Sequence, residues 1–108
     1  MGDERRLFER FSARFPAKFK DSRSDYGTDV FLRDASASGV HIVTTERMFL
    51  DDPVAIEIEV PDGGSPMVVT GRVAWSRPAN ASMWDVGLQL PKVNFMQMHR
   101  LFKFTLQD

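Results

Sequence analysis

Apolar and polar positions alternate along most of this chain with a period of two, in short runs separated by turn residues. That is the pattern of half-buried β-strands. In residues 14–20, Phe15, Ala17 and Phe19 share one face and Pro16, Lys18 and Lys20 the other. Pro16 lacks a backbone donor, which places it near an edge or at a strand's entry. A polar turn over 21–28 leads to a second strand at 29–33, through Val30 and Leu32, and a third at 40–44 follows through Val40, Ile42 and Thr44. Residues 46–53 read as a connection whose Met48, Phe49 and Leu50 tuck against the core. Residues 54–60 give the clearest strand, with Val54, Ile56, Ile58 and Val60 inward and Glu57 and Glu59 towards water. Residues 61–64, Pro-Asp-Gly-Gly, make a turn. A long strand over 67–77 and a last one over 83–90 follow, the latter turning Trp84, Val86, Leu88 and Leu90 inward.

After Pro91 the period changes. Asn94 has the character of a helix N-cap, and residues 95–106 carry Phe95, Met98, Leu101, Phe102 and Thr105 on one helical face. Six antiparallel strands and one terminal helix predict an all-β (mainly β) fold, a small barrel that the helix plugs or flanks.

Composition narrows the function. A chain of 108 residues with 43% apolar and 27% charged residues has room for one core and folds as one domain. It contains no cysteine, which excludes disulfides, thiolate chemistry and cysteine-ligated metals. No metal or cofactor is expected. No apolar run has the length of a membrane span, so a cytoplasmic protein without membrane insertion is expected. A net charge of −1 argues against charge-driven binding to DNA or RNA. The basic charge is concentrated near the N-terminus, in Arg5, Arg6, Arg10, Arg14, Lys18 and Lys20. A basic arm on a neutral body suits a small anion. Residues 1–12 show no clean period and read as a mobile, Arg-rich arm, with room for a helical turn around 7–11; residues 13–108 form the barrel domain, with its helix at about 93–106.

Catalytic groups are scarce. His41 in a strand and His99 in the helix are expected to be structural, and no nucleophile elbow, phosphate loop or metal-ligand cluster is present. The chain is not expected to be an enzyme. Binding chemistry is better represented. Asp34-Ala35-Ser36-Ala37-Ser38-Gly39 has the pattern Asp-x-Ser-x-x-Gly at a junction between strands. Its carboxylate can accept from a ring edge bearing N–H donors, its hydroxyls can donate to phosphate, and its glycine permits close approach. Arg6 and Arg10 have Arg-x-x-x-Arg spacing, which Arg10 and Arg14 repeat, and guanidinium forks match phosphate or guanine O6/N7. Trp75 ends a Gly-x-Val-x-Trp stretch; it either stacks on a ligand or continues the inward series Val69, Gly71, Val73 into the core. Arg77 lies two residues on and could assist.

The order of an Arg-rich arm, two strands and Asp-x-Ser-x-x-Gly resembles the PilZ domain, the bacterial receptor module for cyclic di-GMP. Gly71-Arg72-Val73-Ala74-Trp75 and Asp85-Val86-Gly87-Leu88 resemble that family's later strands, so the likeness runs from about residue 4 to the C-terminus. The resemblance implies a six-stranded antiparallel barrel with a C-terminal helix. It also implies that Arg6 and Arg10 clamp cyclic di-GMP, that Asp34 accepts from guanine N1–H and N2–H, and that Ser36, Ser38 and Gly39 complete the pocket. The residue before the arginine pair is similar to a stoichiometry switch in the family, and Arg5 there implies an intercalated pair of ligands per chain. An unidentified downstream protein would read the ordered arm. A small-barrel nucleic-acid-binding protein, and a PilZ-like interaction module that binds no nucleotide, are the competing classes.

Overall fold

A computed structural model describes residues 9–92 and 94–105 of the chain. Six strands, β1 (Phe11–Phe19), β2 (Val30–Ser36), β3 (Gly39–Thr44), β4 (Pro53–Ile58), β5 (Met67–Asn80) and β6 (Met83–Gln89), precede one helix, α1 (Phe95–Thr105). The strands close into a barrel in the order β1-β2-β3-β6-β5-β4, every neighbouring pair antiparallel, with β4 returning to β1. Closure leaves no sheet edge to template further pairing. The all-β barrel expected from the alternation is the observed fold.

The interior collects the apolar halves of the alternating runs. Val30, Leu32, Ile42, Ile56, Ile58 and Val86 are all completely buried. Helix α1 adds Met98 and Leu101, also completely buried, and Phe102, whose ring meets Phe11 edge-on at 5.1 Å. Burying a side chain of this size contributes about 1.5–3 kcal/mol, which is what anchors so short a helix. Asn94 caps it as expected, its side-chain Oδ1 accepting from the Gln97 backbone N–H at 3.0 Å. Gln97 in turn donates from its side chain to the Val68 carbonyl at 2.8 Å, tying the helix start to β5.

Several expectations need correction. Strand β1 begins at Phe11, so Phe11 and Ser12 belong to the barrel and not to the arm; Phe11 is buried because the helix packs on it. Phe95, predicted for the buried helix face, is 41% exposed, and the buried face of the helix begins at Met98. In the β3–β4 connection only Met48 packs against the core, while Phe49 and Leu50 are exposed. Arg47 covers both the Phe49 and Trp84 rings, at 5.3 and 5.2 Å from their centroids. Among the described residues no helix is long and apolar enough to cross a membrane.

The pairing register shifts at four places, Ser12–Phe15 on β1, Leu32–Asp34 on β2, and Val73–Trp75 and Pro78–Asn80 on β5, and the second and third decide which residues face outward at the site. Between β2 and β3, Leu32 pairs with Ile42 but Asp34 pairs with His41, so Arg33 is one extra residue on β2. Between β5 and β6, Val73 pairs with Leu88 but Trp75 pairs with Gly87, so Ala74 is one extra residue on β5. Each of these two bulges inverts the facing of the residues that follow it, as far as the next irregularity on its strand.

Candidate functional site

By period-two counting, Asp34 follows Val30 and Leu32 inward and Trp75 follows Val69, Gly71 and Val73 inward. The bulges turn both residues out. They then join a single row of directly paired positions across four strands, Asp34 on β2, His41 on β3, Gly87 on β6 and Trp75 on β5. Trp75 is therefore half-buried on the outer face and not part of the core, which corrects the inward continuation of the series.

Gly87 is what admits the indole. A Cβ at Gly87 would overlap the indole Nε1, Cε2 and Cδ1 of Trp75, so the ring sits against the bare backbone there. Its other neighbours are the His41 ring, 5.4 Å away between centroids, and the Arg77 guanidinium, 5.0 Å from the Trp75 centroid. The half-buried ring is thus held between the Gly87 backbone, the His41 ring and the Arg77 guanidinium.

Beside Trp75 lies a cleft of about 400 Å³ lined by Arg10, Ser36, Ser38, Gly39, Ala74, Trp75, Gly87, Leu88 and Gln89. It brings together five of the residues singled out in the sequence. Ser36 and Ser38 place their hydroxyls 3.4 Å apart at the β2–β3 junction, where Ser36 pairs with Gly39. Gly39 is not a turn residue of positive φ; it opens β3, and a Cβ there would come within 2.8 Å of the Leu88 carbonyl oxygen. Its role is close approach between β3 and β6, which also keeps the cleft floor free of a side chain.

Asp34 and Arg77 stand behind this lining. Arg10 Nε lies 3.2 Å from Asp34 Oδ1, an ion pair that connects the cleft to the acid. The N–H is not aligned for a hydrogen bond, and Oδ1 is shielded from solvent without any hydrogen-bond donor among the described residues. The other oxygen, Oδ2, lies 2.8 Å from His41 Nδ1, and His41 Nε2 lies 2.8 Å from Asp85 Oδ1. Arg77 Nε approaches Asp85 Oδ2 at 3.9 Å. Arg10, Asp34, His41, Asp85 and Arg77 thus form one continuous chain of polar contacts across the barrel's outer face. His41 and Asp85 do not stand out as site residues in the sequence, because the strand pairing that joins them spans forty-four positions. Both acids face ring nitrogens already in hydrogen-bond contact, and among the described residues no cluster could hold a metal ion.

Arg5 and Arg6 lie outside the described residues. Arg14, the alternative partner of Arg10, is exposed on β1 and does not line the cleft. A larger cavity of about 750 Å³ shares no residue with the site, and its lining sets Asp21, Asp29, Glu46 and Asp52 against Lys20 and Arg47. That surplus of carboxylates is the wrong sign for an anionic ligand.

No curated protein matches this sequence. Among solved structures, the Bacillus subtilis inhibitor of motility (MotI/DgrA) superposes with a TM-score of 0.60 at 11% identity, over 91% of this chain and 48% of that one. This chain therefore spans about half of that protein's length, and at such low identity the likeness is one of fold. The family model of the PilZ domain matches residues 4–107, nearly the whole chain and every element of the barrel, and the chain belongs to the PilZ domain family.

Proposed function

We propose that this protein is a cyclic di-GMP receptor and adaptor, cytoplasmic and without metal or cofactor, that closes its N-terminal arm over the barrel face and signals through a partner protein. The observation that carries this reading is the Arg10–Asp34 pair at a cleft lined by Ser36, Ser38, Gly39 and Trp75. A guanine needs an acid for N1–H and N2–H, and Asp34 would supply it from Oδ1, which has no hydrogen-bond donor among the described residues and is uncovered when Arg10 turns to the ligand. Phosphates need guanidinium and hydroxyl donors, which Arg10, Ser36 and Ser38 supply. A purine face needs an aromatic platform, and the indole of Trp75, seated against Gly87, lines the cleft. Arg5 and Arg6 would complete the clamp from the arm, with an intercalated pair of ligands per chain. The family consists of binding and adaptor domains, and nothing in the site calls for catalysis.

Calorimetric titration with cyclic di-GMP, beside GTP and a short oligonucleotide, tests the reading. Cyclic di-GMP should bind and the other two should not. Binding of the oligonucleotide alone, with steep salt dependence, would replace this reading with nucleic-acid binding. Cyclic di-AMP lacks the purine N1–H and N2–H donors, so Asp34→Ala should narrow the preference for cyclic di-GMP over it.

A further inference from the structure

His41 touches a carboxylate oxygen with each of its ring nitrogens, Asp34 through Nδ1 and Asp85 through Nε2, both at 2.8 Å. A neutral imidazole carries one N–H, so it can donate to only one of two ionised carboxylates and turns a lone pair towards the other. Both contacts are hydrogen bonds only when the ring is an imidazolium. Among the described residues, the charged groups linked to the ring are Asp34 on β2, Asp85 on β6, Arg77 on β5 and Arg10 before β1, with the Trp75 ring against it. Two guanidiniums and two carboxylates cancel, so the net charge of this group is the charge of His41.

We propose that His41 is a positioning residue of the ligand site, whose imidazolium bridges Asp34 to Asp85 and makes dianion binding proton-linked. This role rests on the receptor reading and extends it to the residues behind the cleft. The protonated ring anchors Asp34 Oδ2 and so fixes the carboxylate whose Oδ1 meets Arg10 at the cleft, and it supplies the positive charge that a bound dianion favours. Loss of the proton removes one anchoring bond and that charge together. Ligand binding therefore takes up a proton from solvent, and affinity falls as pH rises.

The test is calorimetry with cyclic di-GMP from about pH 5 to about pH 8, in two buffers of different ionisation enthalpy. Wild type should lose about threefold to tenfold in affinity across that range, with proton uptake on binding. His41→Gln should bind at the weaker level, with no pH dependence and no proton uptake. Asp85→Asn keeps the shape and removes one carboxylate from the ring, so its affinity should fall off at lower pH than that of wild type. It also serves as the second variant if His41→Gln does not fold. Nitrogen-15 shifts of the His41 ring in the ligand-free protein should report both nitrogens protonated at the acid end and move with Asp85→Asn. Cyclic di-GMP binding of equal affinity across the range overturns the proton coupling and leaves the receptor reading standing. No binding at any pH overturns both.

Discussion

The indole of Trp75 lies across Gly87, on the one strand position where hydrogen in place of a side chain leaves room for it. Gly87→Ala should lift the ring off the β6 backbone without touching the core, since Gly87 faces outward between Val86 and Leu88. If the ring is the platform for a purine, cyclic di-GMP affinity should drop by about 1–3 kcal/mol, roughly five- to a hundredfold. Tryptophan fluorescence of the free protein should shift in the same variant. Unchanged affinity with a shifted spectrum would remove Trp75 from the site.

Arg10 is the arginine at the cleft, and Arg14 is not. Arg10→Ala should weaken cyclic di-GMP binding by roughly ten- to a hundredfold, the worth of about 1.5–3 kcal/mol for a charged hydrogen bond. Its thermal unfolding should stay close to wild type because the side chain is half exposed. Arg14→Ala should leave affinity nearly unchanged. Greater damage from Arg14→Ala would move the clamp to the other register.

Stoichiometry is the measurement that reports on Arg5. Two stacked ligands bring four phosphates and four guanines to one face, and a third guanidinium can offset that charge or stack on an outer base. Titration well above the dissociation constant should give two ligands per chain in wild type and approach one in Arg5→Leu. An equivalence point of one in wild type would assign Arg5 to the solvated surface.

The barrel and its helix are joined by a charged clip with its own pH signature. Arg100 donates from Nε and Nη2 to the two oxygens of Asp62, and Nη2 also donates to the Ser65 carbonyl at 2.7 Å. These bonds hold the Asp62 carboxyl well below the usual carboxylate range, with the Arg100 hydrogen bonds the main cause and the Gly64 backbone N–H the next. A carboxyl lowered on folding stabilises the fold above its unfolded value, near about 4, and that stability is lost as pH falls through the folded value. Arg100→Met should therefore melt lower than wild type at neutral pH. The gap should shrink progressively below about pH 4. A gap that is constant down to the lowest pH measured would show the clip to be electrostatically silent.

Strand existence and the helix were legible because burial on one face imposes a period, and a period survives in sequence without any knowledge of partners. The alternation of 54–60 and the apolar face at Met98 and Leu101 needed nothing more. The residue types at the site were legible for a different reason: Arg10, Asp34, Ser36, Ser38 and Gly39 fall within thirty positions and keep a recognisable spacing. Which face of the barrel they occupy was not legible. Asp34 and Trp75 point outward only because Arg33 and Ala74 each add one residue to a strand, and nothing in either local sequence marks the insertion. A bulge is decided by the neighbouring strand, whose hydrogen-bond register the extra residue must satisfy. The same holds for His41 and Asp85. Each looks like an isolated polar residue on its own strand, and only the β3–β6 pairing places a carboxylate on either side of one imidazole.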